Sequence, residues 1–208
     1  MRKINLIIKR FIDVFGSLLG LIILSPLFII IAVLIKLTSK GPVFFKQERL
    51  GKDGEKFKII KLRTMVENSE QIGNGLFVLT EEDDRITKVG KILRKTSLDE
   101  LPQLFNVLKG EMSLVGPRPP VTYHPYKIDE YDAYNIKRFE MCPGITGLAQ
   151  IKLRNSGTWD ERIKFDVEYV DKFNLILDIK ILFITLISVL KRENIIISGS
   201  NKEKISKK

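Results

Sequence analysis

An uncharged apolar stretch, residues 14–35, constrains the fold of this chain more than any other feature of its sequence. As one helix it would be about 33 Å long, which is enough to span a bilayer. Ser25-Pro26 lies near its middle, where Pro26 lacks the backbone N–H that a continuous helix uses. Each arm on either side of this pair is about 14–17 Å long, or half a bilayer. The stretch can therefore span as one helix or turn back at Ser25-Pro26.

Cations flank this stretch on both sides: Arg2, Lys3, Lys9 and Arg10 before it, and Lys36 and Lys40 after it. Because positive flanks favour the cytoplasmic side and both ends carry them, the positive-inside rule gives no clear direction for a spanning helix. The simplest way to keep both ends on the cytoplasmic side is a re-entrant helix-break-helix anchor over residues 1–40, with Lys9, Arg10, Ser25 and Pro26 as its anchor residues. A kinked spanning helix is the alternative. A cleaved signal peptide is disfavoured, since no small-residue cleavage site follows residue 35.

The net charge of +10 is concentrated at the two ends of the chain. Residues 1–40 carry six Lys/Arg against one Asp, and residues 191–208 carry six against two Glu. The segment between them is nearly neutral. A basic surplus beside apolar segments fits an anionic membrane surface better than a nucleic acid groove, and we expect inner-membrane lipids, not nucleic acid, as a partner.

Cysteine and histidine are too few for a zinc or paired-histidine metal site. Cys142 and His124 are the single residues of each type, so an intrachain disulfide is also excluded. A bound metal would have oxygen ligands, which favours Mg²⁺ held by carboxylates and phosphates.

The segment after residue 40 shows strand and helix patterns typical of an α+β fold, mostly helical with a small β-hairpin. The hairpin is predicted in 43–65 around Lys52-Asp53-Gly54. Helices are predicted over 99–109, 126–141 and 160–173, with a turn at 143–147. Residues 175–190 predict a helix in the membrane interface or in the core. This domain, 41–192, includes the interfacial helices, and a basic tail, 193–208, is expected to be disordered.

Two adjacent carboxylates, Asp99 and Glu100, stand at the predicted start of the helix over 99–109. With Asp99 as N-cap, Pro102 occupies a position whose N–H would be unpaired anyway. One interpretation is structural, because Asp is a favoured cap and Glu suits the first turn. The other is chemical, because two carboxylates can bind Mg²⁺ and one can attack phosphorus.

Cations before and after this pair favour a phosphate ligand. Residues 85–95 contain no acid and five cations: Arg85, Lys88, Lys91, Arg94 and Lys95. These residues could equally form a solvated helix face. Arg118 lies between Pro117 and Pro119, which would aim its guanidinium at phosphate oxygens with little loss of entropy. A rigid turn is the alternative explanation for this proline-rich segment.

The order of these motifs resembles the bacterial sugar transferases, the small monotopic phosphoglycosyl transferases that begin glycan assembly on a polyprenol phosphate. The resemblance covers nearly the whole chain up to about residue 192. It rests on KRFID (9–13), Ser25-Pro26, FKIIKLRTM (57–65), ILRKTSLDELPQL (92–104), LVGPRP (114–119), PGITG (143–147) and WDERIKFDVEYV (159–170).

The resemblance implies a role for each matching residue. Asp99 matches the catalytic nucleophile and Glu100 its dyad partner, both close to Mg²⁺. Arg94 and Arg118 match phosphate-binding arginines, and Asp166 matches an acidic residue of the active-site region, so all three are expected to contribute to substrate binding. Ser25-Pro26 matches the break of a re-entrant helix.

The activity implied is transfer of a sugar 1-phosphate from a UDP-sugar to undecaprenyl phosphate on the cytoplasmic face of the inner membrane. Two steps and a phosphosugar adduct on Asp99 are expected, with domain 41–192 as the catalytic domain. Two rival functions remain at this point. One is a membrane-tethered basic protein that binds nucleic acid or a partner, and the other is a metal-dependent lipid phosphatase.

Overall fold

The computed structural model describes residues 2–71, 83–153 and 157–191, and the tail predicted to be disordered, 193–208, lies outside them. The described chain is mostly helical and contains two small two-stranded sheets. This confirms a mainly helical fold with a small hairpin.

The hairpin predicted in 43–65 is present. Strands β1 (Phe44–Leu50) and β2 (Lys56–Leu62) pair antiparallel, and a 3-10 turn, Lys52–Gly54, joins them. Phe57 and Ile59 of β2 are buried in a cluster with Val107 and Met112. Because side chains alternate along a strand, Lys61 continues the same face of β2.

The helix predicted over 99–109 starts later than expected. Helix α2 (Lys88–Lys95) is followed by a separate 3-10 turn, Leu98–Glu100, and then by α3 (Gln103–Lys109). Ser97 precedes this turn in the left-handed region, at φ 56°, and within the turn the N–H of Leu101 donates to the Leu98 carbonyl at 3.3 Å. Asp99 is therefore not a helix N-cap, and this prediction was wrong.

The turn predicted at 143–147 is a strand. β4 (Gly144–Thr146) pairs in parallel with β3 (Ser113–Val115). The two backbones lie so close that a Cβ added to Gly144 would overlap the backbone of Gly116. The glycines that suggested a turn instead allow this close parallel pairing.

The helix predicted over 126–141 is also corrected. The structure has two 3-10 segments, Ile128–Glu130 and Asn135–Glu140, separated by an extended Tyr131. The Asp132 carboxylate accepts the backbone N–H groups of Tyr134 and Asn135, each at 2.8 Å. Local acceptors of this kind compete with helical hydrogen bonds and divide the segment.

Three helices complete the globular part: α4 (Leu148–Leu153), α5 (Trp159–Asp171) and α6 (Leu175–Leu190). α5 confirms the helix predicted over 160–173 and begins with a capping box of Thr158 and Glu161. α6 buries Ile181 against Val115, Tyr169 and Val170. Its opposite face is an exposed apolar stripe: Ile176, Ile179, Phe183, Leu186 and Leu190.

The first helix, α1 (Arg2–Thr38), is long and apolar enough to cross a membrane. It continues through Ser25-Pro26 without interruption. The carbonyl of Ile22 would normally accept the N–H that Pro26 lacks, and the Ser25 hydroxyl donates to it instead at 2.8 Å. The predicted break is therefore compensated within one helix, and re-entry stays a prediction about how this helix lies in a membrane.

Both halves of α1 pack on the same globular part. In the first half, Lys9 donates to the Val115 carbonyl at 2.8 Å and pairs with Asp178 at 2.6 Å. Arg10 donates to the carbonyls of Val107 and Leu108 at the end of α3. The predicted anchor residues Lys9 and Arg10 thus contact protein.

In the second half of α1, Ile31 and Ile35 are buried in a cluster with Leu62 and Leu93. Leu62 ends β2 and Leu93 belongs to α2, so this half contacts the same globular part as Lys9 and Arg10 do. The helix therefore docks along most of its length.

We predict that Gly90→Ala destabilises the fold, because a Cβ at Gly90 would overlap the Thr64 carbonyl where α2 packs on the segment after β2. Overpacking of this kind costs about 2–3 kcal/mol, which corresponds to a melting temperature lower by about 4–12 °C. Circular dichroism of the detergent-solubilised protein measures it. Gly16→Ala is the control, since its Cβ would meet only the flexible Leu114 side chain, at 3.1 Å. Equal melting temperatures for the two variants would contradict the close packing of α2.

Candidate active site

The acidic pair lies in a 3-10 turn, and three other segments of the chain place cations around it. β2 contributes Lys61, α2 contributes Arg94, and the 3-10 turn contributes Asp99 and Glu100. Arg118 follows β3. The structure therefore brings together the predicted residues Arg94, Asp99, Glu100 and Arg118, and adds Lys61.

Glu100 is held by two cations. Its Oε1 lies 2.7 Å from Lys61 Nζ and 3.6 Å from Arg118 Nη2. Burial alone would raise the pKa of Glu100, but the positive charges of Lys61 and Arg118 outweigh burial and lower the pKa to about 2. Glu100 is therefore ionised at neutral pH and already neutralised by its neighbours.

Asp99 has a different environment although it is the adjacent residue. Burial raises the pKa of the half-buried Asp99 carboxyl to about 6, and the negative charge of Glu100 adds to this effect. Lys61 and Arg94 oppose the rise without cancelling it. At neutral pH the Asp99 carboxylate is ionised but incompletely compensated by positive charge, as expected for a reactive group.

Arg94 is held next to the acidic pair by residues that follow β2. Its Nε donates to Thr64 Oγ1 at 3.0 Å and its Nη2 to Met65 Sδ at 3.2 Å. Among the other cations of residues 85–95, Arg85 is buried and pairs with Asp83 at 2.7 Å. Lys88, Lys91 and Lys95 are exposed to solvent. Arg94 is therefore the member of this run that the structure brings to the acidic pair.

Asp166 lies in the interior. It has no exposed surface, and its Oδ2 accepts from Arg138 Nη2 at 2.6 Å. Burial raises the pKa of Asp166 to about 6, against the stabilising effect of Arg138. Its predicted role in substrate binding stays a prediction, but its contacts are with protein.

Sequence reasoning missed Lys61 and Arg138 as individual site residues. Lys61 had a usable signal, because it follows Phe57 and Ile59 at the two-residue period of β2. Arg138 had none, since it lies 28 residues from Asp166 and within a segment predicted as one helix.

The acidic pair fits a hard cation in its chemistry. In the described ranges, no group of three or more His, Cys, Asp and Glu side chains could hold a metal by itself. Mg²⁺, however, is commonly bound by one or two carboxylates together with substrate phosphates and water. The incompletely compensated charge of Asp99 favours a cation here, and Asp99 and Glu100 would be its ligands.

Comparison with known proteins gives one family. The family described as bacterial sugar transferase matches residues 4–192. Galactosyl transferase CpsE of Streptococcus agalactiae is 45% identical over 199 residues, which cover 89% of this chain and 43% of that protein.

Two further relatives differ in length. A UDP-glucose:undecaprenyl-phosphate glucose-1-phosphate transferase of Klebsiella pneumoniae is 44% identical over 89% of this chain and 41% of its own length. Exopolysaccharide production protein ExoY of Sinorhizobium fredii is 40% identical, with 91% of this chain and 88% of that protein covered. The chain thus spans less than half of the first two relatives and most of the third.

We predict that the two neighbouring carboxyls titrate far apart in metal-free protein. Asp99 should be protonated below about pH 6, whereas Glu100 should stay ionised to about pH 2. Carboxyl ¹³C NMR measures both, with Asp99→Asn and Glu100→Gln assigning the signals. Lys61→Met should raise the pKa of Glu100 toward the ordinary value of about 4.3. Similar pKa values for the two residues in the wild type would refute this electrostatic division.

Proposed function

The chain belongs to the bacterial sugar transferase family, and on that basis we propose that it transfers a sugar 1-phosphate from a UDP-sugar to undecaprenyl phosphate. The products would be UMP and an undecaprenyl diphosphate sugar. The observation that carries the proposal is the acidic pair itself: Glu100 is neutralised by Lys61 and Arg118, and the charge of Asp99 beside it is only partly compensated by Lys61 and Arg94. The name of the relative from Klebsiella supplies the substrate class.

The diphosphate of the donor would bind among the cations of the site. Arg118 has a half-exposed side chain, 37% accessible, whose planar guanidinium can contact two phosphate oxygens. Arg94 would contact the same diphosphate from the side of α2. Because Glu100 already pairs with Lys61, it keeps this cation in place next to Asp99.

In the first step, an Asp99 Oδ would attack the phosphorus that carries the sugar. A bond forms between this oxygen and phosphorus, and the bond from phosphorus to the bridging oxygen breaks, so that UMP leaves with that oxygen. Asp99 then carries the phosphosugar.

In the second step, an oxygen of undecaprenyl phosphate would attack the same phosphorus. The bond to Asp99 breaks and the free carboxylate returns. Two substrates of very different polarity can thereby use one small site in turn.

Mg²⁺ bound by Asp99 and Glu100 would supply positive charge that neutralises the diphosphate oxygens. The residues of this chain would orient the donor: Arg94 and Arg118 fix the phosphates, and Lys61 holds Glu100. The pKa of Asp99, about 6 before any cation binds, leaves the carboxylate ionised at neutral pH without a separate base.

The packing of α1 supports a monotopic arrangement on the cytoplasmic face of the inner membrane. Lys9 near its start and Ile35 near its end both contact the globular part. A globular part on one side of a bilayer can contact both ends of a helix most simply if the helix does not cross. The exposed apolar stripe of α6 would lie in the same interface.

A lipid phosphatase is the second enzymatic candidate, since it could use the same acids with water as acceptor. The family membership favours transfer to lipid.

We predict a stoichiometric burst of UMP without any lipid acceptor. UDP-sugar and Mg²⁺ should give up to about one equivalent of UMP per enzyme and a phosphosugar on Asp99. Asp99→Asn should abolish both, because an amide is a poor nucleophile. Glu100→Gln should impair the burst severely while leaving the attacking atom in place. Released UMP is measured by chromatography and the adduct by peptide mass spectrometry, over a panel of UDP-sugars.

Three results separate the candidates. An adduct on another residue would overturn the role of Asp99. UMP that appears only after lipid phosphate is added would indicate direct transfer between the two substrates. Continuous release of inorganic phosphate from a lipid phosphate would favour the phosphatase.

We predict that both ends of α1 are accessible from the cytoplasm. Lys3→Cys and Lys46→Cys, each in a Cys142→Ser background, should be labelled by a membrane-impermeant thiol reagent in inverted vesicles and protected in spheroplasts. Neither position is buried, so protection reports the membrane and not the fold. Labelling of the two residues from opposite sides would refute the monotopic arrangement.

A further inference from the structure

The backbone of Pro117, Arg118, Pro119 and Pro120, called here the PRPP segment, is held by an unbroken row of hydrogen bonds. Each of its four carbonyls accepts from a donor elsewhere in the chain. In order, the donors are the Gly144 N–H at 2.9 Å, Arg138 Nη2 at 2.7 Å, Arg49 Nη1 at 3.1 Å and the Leu50 N–H at 3.0 Å. The segment that carries Arg118 is therefore fixed from outside, by β1, β4 and the 3-10 segment that contains Arg138.

Among these donors, Arg138 has an almost fully buried side chain. Its side chain is 1% exposed and pairs with Asp166, which is equally buried. One nitrogen, Nη2, donates both to Asp166 Oδ2 and to the Arg118 carbonyl, at 2.6 and 2.7 Å. The other, Nη1, donates to the Tyr131 hydroxyl at 3.1 Å. Loss of Arg138 would therefore free the Arg118 carbonyl and leave the Asp166 carboxylate without its cation.

A buried ion pair is a weak source of stability, because removing both charges from water costs nearly as much as their attraction returns. Its specific effect here is geometric. Pro117, Pro119 and Pro120 restrict their own φ angles, but proline rings do not fix the rotation of the Arg118 peptide about its neighbouring bonds. The hydrogen bond from Arg138 to the Arg118 carbonyl restricts this rotation.

We propose that Arg138, held in place by Asp166, is a positioning residue that orients the Arg118 peptide so that the Arg118 guanidinium reaches the diphosphate of the donor. This inference rests on the proposed function and gives Asp166 an indirect role in it. Arg118 Nη2 lies 3.6 Å from Glu100 Oε1 at the edge of the site. A change in the backbone direction at Arg118 is amplified along its long side chain, so loss of the hydrogen bond from Arg138 displaces the guanidinium.

The test is a double-mutant cycle on steady-state UMP release from UDP-sugar in the presence of Mg²⁺ and undecaprenyl phosphate. Arg138→Met should lower kcat/KM about tenfold or more, because displacement of a binding group by about 1 Å can cost up to about a hundredfold. In an Arg118→Met background the same substitution should cost less than about twofold, since no guanidinium remains to be oriented.

Arg85→Met is the matched control. Arg85 is also a buried arginine that donates to a carboxylate, Asp83, and to a backbone carbonyl, that of Ser69. Both of these partners lie outside the PRPP segment, so the loss on Arg85→Met should be the same factor in both backgrounds. Asp166→Asn provides a second variant of nearly unchanged shape, and its smaller loss should also disappear in the Arg118→Met background.

Equal losses for Arg138→Met in the two backgrounds, with an active wild type, would overturn this inference alone. If Arg138→Met does not fold, equal losses for Asp166→Asn in the two backgrounds would overturn it in the same way. A wild-type protein that releases no UMP would overturn the proposed function and this inference with it.

Discussion

The buried ion pair between Lys9 and Asp178 joins the first helix of the described chain to the last one. Their side chains are only 8% and 9% exposed, and removing one partner would leave an uncompensated buried charge, at a cost of about 3–5 kcal/mol. Lys9 also donates to the Val115 carbonyl, and the Tyr169 hydroxyl donates to Asp178. Four elements thus meet at this pair, and one of them, β3, leads into the segment that carries Arg118.

Much of this arrangement follows from local sequence. The hairpin, α5 and α6 have short-range signals, namely a turn sequence, a capping box and an apolar periodicity, and each is predictable with nearly the observed bounds. Residue type and position also suggest phosphate chemistry for the acidic pair and Arg118, beside structural explanations, whereas Arg94 is singled out from its run of five cations by the resemblance to the family. Their convergence around Glu100 is what the structure adds.

The remaining features depend on contacts that sequence spacing does not reveal. Asp99 resembles a helix cap because Pro102 is tolerated in a first helical turn, yet Asp99 lies inside a 3-10 turn and the helix starts at Gln103. The parallel pairing of β3 with β4 involves strands of three residues each, too short for a periodic pattern. Lys9 and Arg10 resemble headgroup contacts, but their partners are carbonyls and a carboxylate distant in the chain.

The closeness of α1 to the acidic turn would also affect the energetics of the proposed lipid substrate. Leu104, in the helix that follows Glu100, packs so near α1 that a Cβ on Gly20 would lie 3.2 Å from its methyl group. Extracting a polyprenol tail from a bilayer would cost about 0.8 kcal/mol for each CH₂ exposed. Leu98 of the acidic turn packs against the cluster that contains Ile31 and Ile35 of α1, so in the proposed function a lipid phosphate could reach this turn while its tail stays solvated by lipid. Because α1 is docked next to this turn, the activation barrier would not include the cost of moving the lipid tail from the bilayer into water.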